Sequence, residues 1–388
     1  MNKFKAGFLI ILLFGSLTYG CTEKRVKSVK QDGFGLIVTD SLQIDYLGDL
    51  WIQDYDSSSQ QYLAWGDGDR EVLILDERGE ISFTFNFPTD GPDALPGWIN
   101  PIGLNNDGIE LMAVPNGFYR YDFQGNRVWS FKMPSEYFYV NGIKGDPFYS
   151  LGKDMAFLRP EKGEMDWDEG LSDLFKKIYQ SPILEVLDTV SQTSRYTMSF
   201  PPNSIYSDGD FHFWTFPTVS KSGKEWILYF RNELKFWVYE EEEGEVLFKK
   251  EVDLQVADAV AEIGVSFEKA KEYNELTAYD FPGSIQEVYR GRDKLLVIYH
   301  KGVSKDLARQ FDRNSPDGRR EIERLKRKYL AVFDLDFTLL QNDIPVPEGL
   351  IFTTVLTKNE EILVLKHQDF FGTEEDQVVY YKLKVVEE

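Results

Sequence analysis

An alternation of apolar and polar residues is clearest at residues 71–87, EVLILDERGEISFTFNF. Residues 72–75 form an apolar run, and Asp76-Glu77-Arg78-Gly79 forms a short polar turn. From Ile81 to Phe87 every second residue is then apolar, a period that is typical of a strand with one buried face. The stretch therefore predicts a buried strand, a reverse turn and a half-buried strand.

Weaker copies of this strand-turn-strand unit recur along the chain. Including the first, six copies begin near residues 72, 117, 183, 235, 330 and 378. Candidates for outer strands precede several of them, at 109–114, 155–158, 211–216, 294–300 and 361–366. Four-stranded units repeated at intervals of tens of residues are typical of a β-propeller. We predict an all-β, six-bladed β-propeller with short helical insertions, and seven blades, a pair of β-sandwiches or a β-helix are the alternatives.

Three stretches carry a helical period instead. Apolar residues spaced three and four apart predict short amphipathic helices within residues 171–179, 256–270 and 322–329. Gly264 interrupts the second, and Lys and Arg occupy the other faces of the third. None of the three is long enough to form a separate domain, so we interpret them as insertions in the ring.

A strand-like run at Phe34 to Tyr46 precedes the first repeat, and the last repeat ends near Val386. Pairing of these two segments closes the ring and removes the exposed strand edges that favour aggregation. We therefore predict one propeller domain over residues 34–388.

The N-terminus reads as an export signal. Lys3 and Lys5 precede the uncharged residues 6–20, a stretch shorter than the roughly 18 residues needed to span a bilayer, and this pattern is typical of secretory signals. Leu17-Thr18-Tyr19-Gly20-Cys21 resembles a bacterial lipobox, and Cys21 is the only cysteine in the chain. We predict a lipoprotein signal peptide at 1–20, lipidation at Cys21 and a flexible tether at 21–33. Ordinary signal cleavage beside an incidental cysteine is the alternative.

The net charge of −22 resides in the body of the chain, because the tether is basic. An acidic body argues against binding to nucleic acid. Once Cys21 is lipidated no thiol is left for a disulfide, so stability must come from burial. Some bacterial surface lipoproteins carry an acidic export signal after the cysteine, and here Lys24, Arg25 and Lys27 occupy that place. We expect a monomeric outer-membrane lipoprotein that faces the periplasm, with the membrane as one partner through Cys21.

Several motifs associated with catalysis or metal binding are better explained as turns. Asp334-Leu335-Asp336-Phe337-Thr338 resembles the DxDxT motif of haloacid-dehalogenase phosphatases, but too few residues follow it to complete that domain. Residues 312–318 and 66–69 lack the ligand spacing of a calcium loop. The three histidines, His212, His300 and His367, are assigned to three different blades, as packed or surface residues. The sequence predicts no catalytic residue, metal or cofactor.

Three loops rich in Pro, Gly and aromatic residues, 87–101, 200–206 and 279–284, hold comparable positions in the repeat and are predicted to ring one face of the channel. Propellers usually bind ligands at such a face. The candidate ligand contacts are Trp98, Asn100, Tyr206 and Arg231, with packing at the rim as the alternative. The basic segment 319–328 is interpreted as a solvated insertion, or alternatively as a contact for anionic lipid.

Three features together resemble the six-bladed, TolB-like propeller lipoproteins of Bacteroidota: the lipobox, the acidic charge without disulfides, and units with aliphatic-Asp-x-x-Gly turns. The resemblance spans residues 34–388 in pattern, and because that group has no established chemistry it assigns a role only to Cys21. It implies a lipid-anchored cell-envelope protein that binds a protein, peptide or glycan, or acts as a scaffold, without catalysis. The alternative is a propeller hydrolase or lyase whose carboxylates converge in the central channel, where raised pKa values favour catalysis.

Overall fold

The computed structural model describes residues 33–387, apart from 69, 106, 134–138, 141–144, 162–170 and 373–375. The predicted signal peptide, Cys21 and the tether up to residue 32 lie outside the described residues. Within them, six four-stranded antiparallel sheets form a ring. The predicted six-bladed β-propeller is confirmed, and the alternative of seven blades is wrong.

The chain enters the ring through β1 (Phe34–Ile44) and then builds the blades in order. Blade 1 contains β2 (Trp51–Asp56), β3 (Gln61–Trp65), β4 (Glu71–Leu75) and β5 (Ile81–Asn86), and blade 2 contains β6 (Trp98–Asn105), β7 (Gly108–Val114), β8 (Gly117–Asp122) and β9 (Arg127–Lys132). A two-stranded ribbon pairs β10 (Tyr139–Val140) with β13 (Pro160–Glu161), and blade 3 contains β11 (Tyr149–Leu151), β12 (Asp154–Leu158), β14 (Leu184–Asp188) and β15 (Thr193–Thr197).

The second half of the ring continues in the same order. Blade 4 contains β16 (Thr218–Ser222), β17 (Glu225–Tyr229), β18 (Lys235–Glu242) and β19 (Glu245–Asp253). Blade 5 contains β20 (Ser284–Arg290), β21 (Lys294–His300), β22 (Lys328–Asp334) and β23 (Leu339–Pro345). Blade 6 contains β24 (Leu350–Leu356), β25 (Glu361–Lys366) and β26 (Val378–Glu387), with β1 as its fourth strand.

The first strand of each blade faces the axis, since β24 contacts both β2 and β20, and β2 contacts β6, across neighbouring blades. Because strands alternate in direction, two kinds of connection leave from one face of the ring: the crossover from the last strand of a blade to the next blade, and the loop between second and third strands. We call this the crossover face. The helices α1 (Leu171–Ile178), α2 (Tyr273–Leu276), α3 (Lys305–Ala308), α4 (Pro316–Leu325) and α5 (Gln368–Phe371) all belong to these connections.

The core consists of layers between neighbouring blades. Side chains alternate along each strand, so one blade contributes to two layers. In β3, Leu63 packs with blade 2 residues such as Leu111, whereas Tyr62 and Ala64 pack with blade 6 residues such as Leu363. Six such clusters, one for each pair of neighbours, complete the circle.

The predicted closure of the ring is confirmed. Strand β1 pairs antiparallel with β26, from Phe34 opposite Glu387 to Ile44 opposite Val378. Leu42 and Ile44 are fully buried in the layer between blades 6 and 1. The N-terminal strand thus joins the last blade to the first.

The first five repeated units are the third and fourth strands of their blades, and the turns of blades 1 and 2 share one geometry. The sixth unit, near residue 378, supplies only β26. Asp76 Oδ1 accepts hydrogen bonds from the backbone N–H groups of Arg78 and Glu80, both at 2.9 Å. The same pattern recurs at Asp122, which accepts from Gln124 and Asn126. Gly79 and Gly125 have φ values of 86° and 82°, the left-handed region where a side chain is strained. Asp side chains of this kind cap the turns of hairpins.

The DxDxT-like segment is another such turn. Asp334 Oδ1 accepts a hydrogen bond from the N–H of Thr338 at 2.7 Å, and Phe337 takes the left-handed position with φ of 63°. The motif therefore joins β22 to β23 as a hairpin. Residues 312–318 form a helix start, since the Ser315 hydroxyl accepts from the N–H of Gly318 as the N-cap of α4.

Two groups of sequence predictions need correction. The candidates for outer strands at 109–114, 155–158, 294–300 and 361–366 are strands, but they are the second strands of their blades. Residues 211–216 form no strand: Phe211 makes an isolated bridge to Val265, and Phe213 and Phe216 have positive φ. Their aromatic rings pack irregularly into the layer between blades 3 and 4.

The helix predictions were correct in part. Helix α1 lies where the sequence places it, with Phe175 and Ile178 buried. The stretch 256–266 is not helical; only a 3₁₀ segment, Phe267–Glu272, followed by α2 forms there. In the third stretch Ile322 is buried on α4, whereas Tyr329 belongs to β22.

Candidate functional site

A cavity of about 740 Å³ opens on the crossover face of blades 4, 5 and 6. Its wall combines the loop between β17 and β18, the insertion before β20, helix α4 and the crossover that leads to β24. Ser284 and Gln286 at the start of β20, His300 at the end of β21 and Lys328 at the start of β22 also line it. Volumes of roughly 300–1,000 Å³ are typical of small-molecule pockets.

Two histidines from different blades line this one cavity. His300 is 8 % exposed, whereas His367 is exposed at the N-cap of α5. The backbone N–H of Gly302 donates to His300 Nδ1 at 3.2 Å. Burial, together with the positive charges of Lys326, Lys328 and Arg231, lowers the pKa of His300 to about 3. The ring is therefore neutral at physiological pH with its proton on Nε2, because Nδ1 acts as an acceptor.

The third histidine, His212, lies in a separate cluster behind the cavity. Its Nε2 lies 3.0 Å from Asp208 and its Nδ1 lies 3.3 Å from Glu262. Burial alone lowers the pKa of His212, but the hydrogen bond and charge of Glu262 and the charge of Asp208 outweigh it, and the net shift is upward. Glu262 and Tyr273, whose hydroxyl donates to Glu262 at 3.2 Å, also line the cavity wall.

Of the four predicted ligand contacts, Arg231 lines the cavity and is exposed. Trp98 is 82 % exposed at the start of β6 on blade 2, outside the cavity lining. Asn100 belongs to β6, and its side chain lies outside the described part of the chain. The structure does not bring these residues together into one site.

Tyr206, the fourth predicted contact, is only 2 % exposed, so its side chain does not face a ligand in this structure. Glu233 holds its loop inward: the carboxylate accepts from the Ser204 hydroxyl at 2.8 Å and from the Ile205 N–H at 3.0 Å. Tyr206 consequently packs into the layer between blades 3 and 4, against Tyr179 and Phe230.

The three Pro- and aromatic-rich loops do hold equivalent positions. Residues 87–101, 200–206 and 279–284 all belong to crossovers from the last strand of one blade toward the first strand of the next. Only the third contributes to the cavity, through Asp280, Phe281 and Pro282. Residues within 320–328 also line the cavity. Their basic character is visible in the sequence, which predicted a solvated insertion or a lipid contact there and not a cavity wall.

At the axis, two carboxylates with raised pKa values lie near each other. Asp54 on β2 accepts hydrogen bonds from the N–H groups of Leu104 at 2.6 Å and Tyr55 at 2.7 Å, yet burial raises its pKa. Asp146 precedes β11 and is exposed to solvent, although many protein atoms surround its carboxyl group. Burial, then the charges of Asp54 and Glu110, raise the pKa of Asp146 to about 7.

We expect Asp146→Asn to stabilise the protein at alkaline pH. The folded-state pKa of Asp146 lies above the ordinary aspartate value of 3.8. Ionisation of this carboxyl therefore costs no stability below about pH 4, and the full cost is present above about pH 7. One pKa unit corresponds to about 1.4 kcal/mol, and because the side chain retains solvent contact we expect a gain of only about 1–2 kcal/mol.

Urea unfolding at about pH 8 and about pH 5 measures this effect. At the lower pH the native carboxyl is mostly protonated and resembles the amide, so the gain should shrink markedly. Asp107→Asn, at an exposed aspartate (side chain 86 % accessible), is the control and should change the stability little at either pH. An equal effect of Asp146→Asn at both pH values would contradict the assignment.

The described residues contain neither a metal-binding cluster nor a membrane-spanning helix. No group of three or more His, Cys, Asp or Glu side chains in these ranges is arranged to hold a metal ion. Among the helices of the same residues, none combines the length and the apolar character that crossing a membrane requires.

Comparison with known proteins shows the fold. No protein-family model matches the sequence, and no curated protein does either. Among solved structures, the chain is similar to a member of the DUF4221 family from Bacteroides vulgatus ATCC 8482, with a TM-score of 0.61 and 12 % identity over 92 % of this chain and 100 % of that one. It is also similar to a "Putative exported protein" from Bacteroides fragilis NCTC 9343, with a TM-score of 0.53 and 12 % identity over 90 % of this chain and 95 % of that one. At this identity the likeness establishes a shared propeller architecture along almost the whole chain.

Proposed function

We propose that this chain is a lipid-anchored binding protein of the cell envelope, attached through Cys21 and facing the periplasm, whose recognition site is the cavity on blades 4 to 6. The cavity itself carries the proposal, because three blades of a closed ring supply its walls. Binding sites on rigid scaffolds are commonly built from such loops. The signal-like N-terminus and the similarity in fold to the "Putative exported protein" from Bacteroides fragilis support the location.

Within the cavity, a binding role is favoured over catalysis by the state of the carboxylates; Asp54 and Asp146, whose pKa values are raised at the axis, are not part of the cavity lining. Glu323 pairs with Lys326 at 2.6 Å, and Glu348 pairs with Arg327 at 3.6 Å. Asp280 pairs with Lys305 at 3.1 Å, and Glu262 is held by Tyr273 and His212. Carboxylates engaged in this way are poorly placed to transfer protons to a ligand.

Photo-cross-linking in intact cells tests the site. A photoreactive residue replaces Asn232 in the cavity, and a matched one replaces Arg78, an exposed residue in the turn between β4 and β5 on the opposite face. We expect an adduct in the membrane fraction from position 232 and none from position 78. With Cys21→Ser the protein should leave the membrane fraction.

Adducts at both positions, or at neither, would argue against a cavity-centred binding function. Retention of the Cys21→Ser protein in the membrane fraction would argue against the lipid anchor but not against the binding site. Intact mass of the adduct reports whether the bound species is a small molecule or a macromolecule.

A further inference from the structure

The side chains that line the cavity carry more positive than negative charges, although the whole chain is acidic. The protein has a net charge of −22, yet six cationic side chains and four carboxylates line the cavity. The cations are Arg231, Arg320, Arg324, Lys326, Arg327 and Lys328. Charges farther away than about 8 Å are largely screened at physiological ionic strength, so the local excess of positive charge governs what enters.

The carboxylates of the cavity do not neutralise all of these cations, and Arg320 and Arg324 also pair with Asp317 and Glu321 of α4, which are outside the lining. All four lining carboxylates already have partners, and for Asp280 and Glu262 these partners are Lys305 and His212, which are not part of the lining. Among the described residues Arg231 has no ion-pair partner; its guanidinium carbon lies 5.9 Å from the centre of the Phe216 ring. An exposed guanidinium presents a planar fork of N–H donors that matches carboxylate and phosphate oxygens.

His300 adds a buried donor to the same wall. Only 8 % of its surface is exposed, and Nδ1 is occupied by the N–H of Gly302. Nε2 therefore carries the proton, and it has no hydrogen-bond partner among the described residues. Nε2 is not one of the fully buried polar atoms without a partner among the described residues, so it is open to the cavity and can donate a hydrogen bond to a ligand oxygen.

Aromatic rings line the rest of the cavity and stand next to the cations. Lys326 Nζ lies 4.9 Å from the centre of the Phe281 ring, and the Arg324 guanidinium carbon lies 6.0 Å from that of Phe370. Tyr273, Val346 and Pro347 extend this apolar surface. The site thus combines oxyanion donors with flat apolar walls.

We propose that the cavity binds a small organic anion, with a carboxylate or phosphate group held by Arg231 and the Nε2–H of His300 and a ring or apolar portion packed on Phe281 and Phe370. This assignment rests on the proposed binding function and specifies the class of ligand. Carboxylate and phosphate share the chemistry that the donors recognise, so the probes must separate them.

Isothermal titration of the soluble mature protein with benzoate, phenyl phosphate and neutral benzyl alcohol tests the proposal. At least one of the two anions should bind at submillimolar to millimolar concentration, and benzyl alcohol should bind at least tenfold more weakly. The stronger of the two anions identifies the preferred headgroup.

The decisive variant is Arg231→Gln, which removes one charge from an exposed side chain without an ion pair. We expect it to weaken anion binding at least tenfold, as typical for loss of a charge-assisted hydrogen bond. Arg78→Gln removes the same charge from the opposite face and should leave affinity unchanged. Matching circular dichroism and unfolding curves establish that both variants fold.

Three results would overturn the assignment: no binding of either anion, equal binding of benzyl alcohol, or unchanged affinity in Arg231→Gln. Each leaves the cross-linking experiment intact, because an adduct confined to position 232 would still locate a binding site. That combination of results would support the proposed binding function and reject only the anionic class of ligand.

Discussion

Deletion of residues 34–46 is expected to prevent the whole propeller from folding cooperatively, although it removes only one strand in the ring. Strand β1 covers the edge of β26 along nearly its full length, and its inner residues join two blades. Leu42 and Ile44 pack with Ile52 and Leu73 of blade 1 and with Tyr380 of blade 6. Without them the layer between the first and last blades is open.

The expected loss of stability follows from the apolar side chains that the deletion removes from the core. Fully burying an aliphatic side chain contributes about 1.5–3 kcal/mol, and two such side chains are lost together with a complete ladder of backbone hydrogen bonds. The free energy of unfolding of a domain is only about 5–15 kcal/mol, so the loss caused by the deletion is comparable to the entire stability of the domain. We expect urea unfolding, followed by tryptophan fluorescence and far-ultraviolet circular dichroism, to show no cooperative transition.

Point variants in β1 provide matched controls. Leu42→Ala is expected to cost about 2–5 kcal/mol, because it leaves a cavity in a closed layer. Val38→Ala lies on the same strand, but Val38 is 55 % exposed, and we expect a change within about 0.5 kcal/mol. An unchanged midpoint after the deletion would show that the ring does not depend on this closure.

A circular permutant separates loss of the strand from loss of its connection. Phe34 lies opposite Glu387 in the antiparallel pair, so a short hairpin turn can attach residues 34–46 after the C-terminus. A chain that begins at residue 47 and carries this appended strand should regain cooperative unfolding, since the same residues return to the same register. Failure of the permutant to fold would mean that the covalent entry into blade 1 matters as well.

The strand-turn-strand units were predictable because they depend on local signals. Alternation fixes which side chains face a neighbouring blade, and the Asp at the start of a turn such as Asp76-Glu77-Arg78-Gly79 supplies its own hydrogen bonds to the turn. The pairing of β1 with β26 was predictable from a different argument, the need to cover strand edges. Together these signals favour six blades, and the six four-stranded sheets exclude the alternative of seven.

The irregular segments were not predictable in the same way. Residues 211–216 contain alternating aromatic residues, as a strand does, but they pack around Phe175 of α1 and Tyr273 of α2. Apolar residues at 256–266 have helical spacing, yet that part of the insertion is held by single contacts to distant segments, such as the backbone bridge of Val265 to Phe211. Local patterns cannot distinguish these cases from regular elements, because tertiary contacts decide them.

The candidate site was visible in the sequence only as separate pieces. Arg231 and the basic run at 319–328 lie almost a hundred residues apart, and His300 lies between them on a strand. The ring brings them together because second strands end, and third strands begin, on the same face. Burial is not encoded by residue type either: Tyr206 and Trp98 both belong to aromatic-rich crossovers, yet one is buried and the other is exposed.

Replacement of His212 by Ala is expected to produce the second large loss of stability, about 2–4 kcal/mol near pH 6, by leaving buried negative charge without its partner. The ring is 1 % exposed and lies between Asp208 and Glu262, and Glu262 Oε2 already lacks a hydrogen bond among the described residues. Gly264 packs so closely that a Cβ at that position would lie 2.7 Å from His212 Cε1. The histidine thus holds the insertion between blades 4 and 5 against the crossover between blades 3 and 4.

The loss should depend on pH with a defined sign. Because the folded-state pKa of His212 is raised above 6.5, its stabilising contribution is fully present below about 6.5 and disappears as pH rises through the folded pKa. The difference in unfolding free energy between wild type and His212→Ala should therefore be largest at about pH 5–6 and smaller at about pH 9. His367→Ala, at an exposed histidine, should show no comparable loss.

A double variant and a titration together identify the cause. His212→Ala with Glu262→Gln should recover part of the stability lost in the single variant, since the buried carboxylate is then neutral. In the NMR spectrum the Cε1–H resonance of His212 should titrate above pH 6.5. The Cε1–H resonance of His300 should not shift until about pH 3, because its imidazole stays neutral above that pH. Titration of His212 below 6.5, or a cost of less than about 1 kcal/mol for its removal, would show that the two carboxylates do not hold a charged imidazole.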